Sequence, residues 1–156
     1  MLIAVISDTH DRFPPQLPAL LARAGEIWHL GDVCDPRILD ALAQPGKPLH
    51  TVRGNCDDPH HNWPVALCRE IHGARCHLVH DPLDFARAPR DCPGIILHGH
   101  WHIVRDETLD GIRWLSPGSV SQPRGGAPPS LGWLEITPGK PARWEIEWLA
   151  ARAQRM

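Results

Sequence analysis

Leu2-Ile3-Ala4-Val5-Ile6-Ser7-Asp8-Thr9-His10 is the stretch on which the fold turns. Apolar side chains run without a break from Leu2 to Ile6 and then give way at once to Ser-Asp-Thr-His. An unbroken apolar run of this length suits a strand covered on both faces. The next segment sets the connection. Leu17, Leu20, Leu21 and Ala24 fall at i, i+3, i+4 and i+7, one face of a helix over Pro15–Ala24, with Gly25 placed to end it. Ile27–Leu30 reads as a second short strand. Asp35-Pro36 supplies an N-cap and a proline at the first helical position for a helix that turns Ile38, Leu39 and Leu42 inward and stops near Pro45-Gly46. Leu49–Val52 is a third strand. The order β-α-β-α-β predicts parallel strands joined by right-handed crossovers.

Beyond residue 60 the pattern changes. Val65–Ile71, Arg75–Val79, Gly94–Leu97, Ile103–Thr108, Ile112–Leu115, Leu131–Ile136 and Ala142–Leu149 are strand-like, with a short helix over Asp81–Ala88. Gly73, Asp110-Gly111 and Pro138-Gly139 supply turns. In the last run Trp144, Ile146 and Trp148 alternate with Arg143, Glu145 and Glu147. The chain therefore reads as α+β, two packed sheets with helices outside, in one domain over residues 1–156. Its 156 residues, 42% apolar and 22% charged, suffice for a core. No apolar run is long enough to cross a bilayer, and no leader pattern opens the sequence. Five Cys, an odd number without a CxxC pair, read as reduced thiols in the cytoplasm. A formal charge of −2 with no basic stripe argues against a nucleic-acid partner.

The polar groups are informative by position. Asp8 and His10 come after the first run, Gly31-Asp32-Val33-Cys34-Asp35 after the second, Gly54-Asn55-Cys56-Asp57 after the third. His80 comes after Val79, and His98-Gly99-His100-Trp101-His102 after Leu97. Ligands gather outside the carboxyl ends of parallel strands, so these groups are expected in one crevice. Asp35 is accounted for as a helix cap. Asp32 is not. His100 and His102, two apart, can reach one centre, and Gly99 lets the backbone approach it. Asp8, His10, Asp32, Asn55, His80, His100 and His102 are too many donors for one metal. They suit a pair of borderline ions bridged by Asp32, of the kind that lie about 3.5–4 Å apart and clamp the oxygens of an in-line displacement. Two divalent ions outweigh two carboxylates, so the centre is net positive and favours an anion such as a phosphate ester.

These elements, DxH, GDxxD, GN(H/C)(D/E), His and GHxH in that order, resemble the calcineurin-like metallophosphoesterase superfamily. The stretch Ser116–Gly126 is similar to a loop of its small bacterial and archaeal YfcE-type phosphodiesterases. The resemblance implies a four-layer αββα sandwich and two divalent ions, Mn²⁺ first, with Fe, Zn²⁺ and Ni²⁺ as alternatives. Asp8, His10, Asp32 and His102 would hold one, and Asp32, Asn55, His80 and His100 the other. It implies hydroxide attack on a small phosphodiester.

Two departures bear on chemistry. Cys56 stands where many members carry a His that protonates the leaving group; a thiol is less well matched to neutral pH than an imidazole. Activated aryl diesters should then be cleaved better than alkyl monoesters. Asp81-Pro82 comes after His80 where some relatives have Gly. Asp57 is expected to orient Cys56 or a site histidine, and Arg12 and Arg124 to reach phosphate oxygens. His29, His50, His72 and His77 read as structural. The competing readings are a Vps29-like interaction scaffold and a nuclease with the same chemistry. A homo-oligomer stays open through Trp residues at strand ends.

Overall fold

Strand β1 (Leu2–Ile6) forms where the apolar run predicts it and is buried from Ile3 to Ile6. The computed structural model describes residues 1–87, 94–150 and 154–155. After β1 come β2 (Arg12–Phe13), α1 (Leu17–Leu21), β3 (Glu26–His29), α2 (Arg37–Leu42), β4 (Leu49–Thr51), β5 (Ala66–Ile71) and β6 (Ala74–Val79). The second half adds β7 (Ile95–Leu97), β8 (Val104–Leu109), β9 (Ile112–Pro117), β10 (Ser130–Glu135), β11 (Arg143–Trp148) and β12 (Gln154–Arg155).

One sheet has the order β11-β10-β1-β3-β4 and the other β5-β6-β7-β9-β8. β1, β3 and β4 are parallel, as are β6, β7 and β9. Antiparallel β10 and β11 extend the first sheet, and β5 and β8 close the edges of the second. Both sheets are mixed. The parallel strands of each deliver their carboxyl-end loops to one polar centre.

The two faces of β1 explain its unbroken apolar sequence. Ile3 and Val5 pack between the sheets with Trp28, Leu30, Val52, Leu78, Leu97 and Leu115. Ala4 and Ile6 face the other way, against Leu17 and Leu21 of α1, Ile38 and Leu42 of α2, and Trp133. Fully burying one such aliphatic side chain contributes about 1.5–3 kcal/mol. Glu26, buried at the start of β3, accepts from Trp28 Nε1–H at 2.9 Å and from Arg69 of β5 at 3.2 Å, a polar tie between the sheets.

The helical layers are thin. The helix expected over Pro15–Ala24 shrinks to Leu17–Leu21. Residues 22–24 leave it through 3-10-type bonds, Ala22 N–H to Ala19 and Ala24 N–H to Leu21. Gly25 does not cap it. Gly25 N–H donates to the Leu2 carbonyl at 2.7 Å, which ties the end of this segment to β1, and the Met1 side chain packs over it. α2 is shorter at both ends than expected and its N-cap falls on Pro36 instead of Asp35; Asp35, one residue earlier, still accepts Arg37 N–H on Oδ1 and Ile38 N–H on its carbonyl. The segment expected as a helix over Asp81–Ala88 is a 3-10 helix, Pro82–Arg87, packed on β5 and β6; Ala88 and Cys92 lie outside the described residues. Hairpin turns fall at His72-Gly73 and Asp110-Gly111, where all four residues have positive φ. Trp148, in register with its alternating partners, is 48% exposed at the end of edge strand β11. Short β2 and β12 pair with each other, which no periodicity announces.

Candidate metal centre

The loop after β1 is threaded between two others. Asp8 N–H donates to the Gly31 carbonyl and His10 N–H to that of Asp32, binding it to the loop after β3. From the far side, Ser119 Oγ and Ser121 Oγ both donate to the Asp8 carbonyl at 2.9 Å. His29, buried at the end of β3, accepts Gly31 N–H on Nδ1, which leaves the proton on Nε2, 3.2 Å from Thr9 Oγ1. Burial holds this imidazole neutral and takes its pKa down to about 4.

Asp57 organises the third loop. Its buried carboxylate accepts the N–H groups of Asp32, Cys34 and Gly54 at 2.9, 2.7 and 2.7 Å. It holds the loops after β3 and β4 together and is turned onto backbone, not onto Cys56. The close approach needs glycine: a Cβ on Gly54 would lie 2.1 Å from Asp32 Oδ1, and one on Gly99 1.9 Å from Ser7 Oγ.

The resulting backbone is strained where the chemistry is expected. Asp8, His10, Asp32, His100 and His102 all have positive φ, between 44° and 67°. Each left-handed non-glycine residue costs about 1–2 kcal/mol. Their sum is comparable to the stability of a whole domain, so the surrounding hydrogen bonds must over-determine these conformations.

The side chains converge. Asp8 Oδ2 accepts from Ser7 Oγ at 2.6 Å and His100 N–H at 3.2 Å, while Oδ1 is buried without a hydrogen bond. Oδ1 stands 3.1 Å from His102 Nε2 and 3.8 Å from His10 Nε2. Asp32 lies at the middle: Oδ2 is 3.5 Å from His10 Nε2 and 3.3 Å from His80 Nε2, while Oδ1 accepts Cys56 N–H at 2.8 Å. Asn55 Oδ1 completes the far side, 3.1 Å from His80 Nε2 and 2.8 Å from His100 Nδ1.

This donor set fits metal ions. His80 Nδ1 is 2.7 Å from the Leu30 carbonyl and His102 Nδ1 is 2.6 Å from that of Gln122. A carbonyl only accepts, so each ring donates from Nδ1 and its Nε2 is available at the centre. His10 Nε2 and His102 Nε2 stand 3.2 Å apart, close enough to share a cation or a proton. Asp8, His10 and His102 form one group of donors, and Asp8, Asp32 and His80 a second.

The charges are coupled. Burial alone would raise Asp32, but the hydrogen bond and charge of His80, the Cys56 N–H and His10 outweigh it and hold the carboxyl far below its usual range. Burial would lower His80 and His102; Asp32 and Asp8 carboxylates respectively override it and raise them. His10 ends up lowered, because burial there exceeds the attraction of Asp32 and Asp8. Burial and the Asp32 carboxylate push the Cys56 thiol up to about 11.

The peripheral candidates surround this core of donors unevenly. Cys56 Sγ, exposed, accepts from Asn55 Nδ2 at 3.3 Å and falls within 4.8 Å of His10 and Asp32 donor atoms. Arg124 N–H is fixed to the His102 carbonyl at 3.0 Å, and its charge is felt by that imidazole. Arg12 lines a neighbouring cleft. His98 does not face the centre: it is buried, donates from Nδ1 to the Gly99 carbonyl and accepts from Arg105, whose guanidinium lies against Trp101 and Trp114. Sequence reasoning leaves Ser119, Ser121, Thr9 and Cys34 without a role. Ser119 and Ser121 sit in the Ser116–Gly126 stretch, but nothing in their spacing announces a bond to Asp8.

Buried carboxylates and imidazoles converging at the parallel strand ends of a double-sheet sandwich define a metal-dependent hydrolase of phosphoesters. The chain belongs to the calcineurin-like phosphoesterase superfamily, whose domain profile matches residues 1–139. It is 32% identical over 138 residues to a probable metallophosphoesterase, MJ0623, of Methanocaldococcus jannaschii, covering 80% of this chain and 70% of that one. It is 28% identical to the phosphodiesterase YfcE of Escherichia coli, over 86% and 88% of the two chains. The solved structure of that enzyme superposes with a TM-score of 0.74. Vps29 of Entamoeba histolytica complexed with Zn²⁺, 22% identical over 95% of this chain and 99% of its own, shares the fold with a TM-score of 0.70.

Proposed function

We propose that this protein is a dinuclear metal-dependent phosphodiesterase acting on small phosphodiesters. The observation that carries the reading is the placement of the Asp32 carboxylate between two sets of donors, with His10 on one side and His80 on the other. Asp8, His10, Asp32 and His102 would hold one cation, and Asp32, Asn55, His80 and His100 the second. Mn²⁺ is the proposed native ion. When bound, the pair supplies Lewis acidity to an attacking water and neutralises charge on the phosphoryl oxygens.

The chain's own groups do the rest. Nδ1–H bonds to Leu30 and Gln122 fix the rings of His80 and His102. Asp57 positions the loops rather than touching substrate. Arg124 stands beside His102 to meet a phosphate oxygen. Cys56, exposed beside Asn55 and protonated at neutral pH, would hand a proton to a departing alkoxide. A thiol does this poorly, which favours diesters with good leaving groups.

An aryl phosphodiester assay with added Mn²⁺, with and without chelator, tests the proposal. Metal-dependent release of the phenol is expected; turnover indifferent to chelation overturns it. The scaffold reading draws on the Vps29 likeness, which concerns fold alone. Every donor type of the ligand set stands at the site, which supports catalysis instead. The nuclease reading lacks a basic stripe to track a nucleic-acid backbone.

A further inference from the structure

Beside the candidate metal centre lies a cleft of about 730 Å³, lined among the described residues by Arg12, Ser121, Gln122, Pro128, Pro129 and Leu149, with four further neighbours. That volume is in the range of sites for organic ligands and far more than a phosphoryl group needs. The cleft shares a wall with the centre. Ser121, on its rim, donates to the Asp8 carbonyl, and Gln122 accepts from His102 Nδ1–H through its own carbonyl. An arm seated in this space would lie against the segment that backs Asp8 and His102.

The lining limits what that arm can be. Arg12 is the one charged side chain among the described lining residues, and no carboxylate faces it there. Its backbone N–H is tied to the Thr9 carbonyl at 3.0 Å, so the side chain starts from a fixed point. Among the described residues its guanidinium makes neither an ion pair nor a hydrogen bond, although it is half-buried. Pro128, Pro129 and Leu149 offer flat apolar wall for a short carbon skeleton. An unpaired, partly desolvated guanidinium facing such a wall is a receptor for an oxyanion, which it can bind by two parallel N–H bonds.

We propose that this cleft is a specificity site for a second negative charge: the preferred substrates are phosphodiesters whose non-leaving arm ends in an oxyanion, carboxylate or phosphoryl, held by Arg12. The proposal rests on the phosphodiesterase reading for where the phosphorus sits. Its test does not rest on turnover.

Three dialkyl phosphodiesters, too unreactive to be cleaved during a titration, would be compared by calorimetry on the Mn²⁺-loaded protein. They share one methyl arm; the other ends in methyl, carboxylate or phosphonate. Both anionic arms are expected to bind about tenfold tighter or more than the neutral one, and the stronger of the two names the source of the oxyanion. Arg12→Gln should bring the ratio of anionic to neutral Kd towards one, and Arg12→Lys should restore part of it. Equal affinities in the natural chain overturn the proposal, as does a ratio that survives Arg12→Gln. An aryl diester assay on the same samples separates the two readings. A preserved binding ratio without hydrolysis would sink the catalytic reading and leave the cleft's preference in place.

Discussion

At the scale of single residues, the site is strain held in place by hydrogen bonds. Asp8, His10, Asp32, His100 and His102 share a left-handed backbone conformation that costs each of them free energy, and all five sit where the donors converge. Asp32 stands at the join, so Asp32→Ala should abolish turnover and remove both calorimetric Mn²⁺ binding events; one surviving event of full affinity would show that the sites do not share it. At position 56 the thiol, pushed up to about 11, is a reluctant donor. Cys56→His should raise monoester hydrolysis relative to diester hydrolysis by about tenfold or more, read as a ratio of kcat/KM values. An unchanged ratio would free this position from leaving-group protonation. The donor residues stand out in the sequence by their joint occurrence after successive apolar runs, since Asp, His or Asn at any one of those places could equally be a turn or a strand end, as His98 is. The role of Asp57 is not, since a carboxylate that serves three amides from two loops looks the same in sequence as one that serves a side chain such as Cys56.

At the scale of elements, strands are easier to read than helices. β1, β3 and β4 form on apolar runs whose burial on two faces leaves one interpretation. The periodicity overextends α1 because Ala24 continues the helical face while the chain has already left the helix to meet β1. The loops between elements are packed as tightly as the strands. Gly99 touches the loop after β1 so closely that a methyl group would overlap Ser7 Oγ. Gly99→Ala should cost about 1–3 kcal/mol by urea denaturation of the chelated protein and weaken Mn²⁺ binding together with it. Normal stability with normal affinity would mean that the two loops can part without consequence.

At the scale of the whole molecule, two buried imidazoles couple folding to acidity. His29 and His98, held neutral by burial, both have pKa values taken down to about 4. Unfolded, each titrates near ~6.5. Between these limits the unfolded chain binds more protons, so stability falls as pH drops from about 6.5 to about 4, by roughly 3 kcal/mol for each group at the lower end. Urea midpoints of the metal-free protein between pH 7 and pH 4.5 would show it. His98→Gln, away from the centre, should flatten the slope; an unaltered slope would place the acid sensitivity elsewhere. Metal works on the same balance. At a hundredfold excess over its Kd, an ion that binds only the folded chain adds about 2.7 kcal/mol, so chelation should lower Tm.

The bonds from Ser119 and Ser121 to the Asp8 carbonyl span 111 and 113 residues, and β1 takes its antiparallel neighbour from β10. β1 therefore waits for partners made more than a hundred residues later and is among the last strands of this chain to be completed. Throughout translation its apolar faces and its half of the cation cradle wait for a segment still to be synthesised. A nascent polypeptide arrested before Ser119 would be unable to capture Mn²⁺ and would be a client for chaperones, while release of a few dozen further residues would close sheet and cradle in one event.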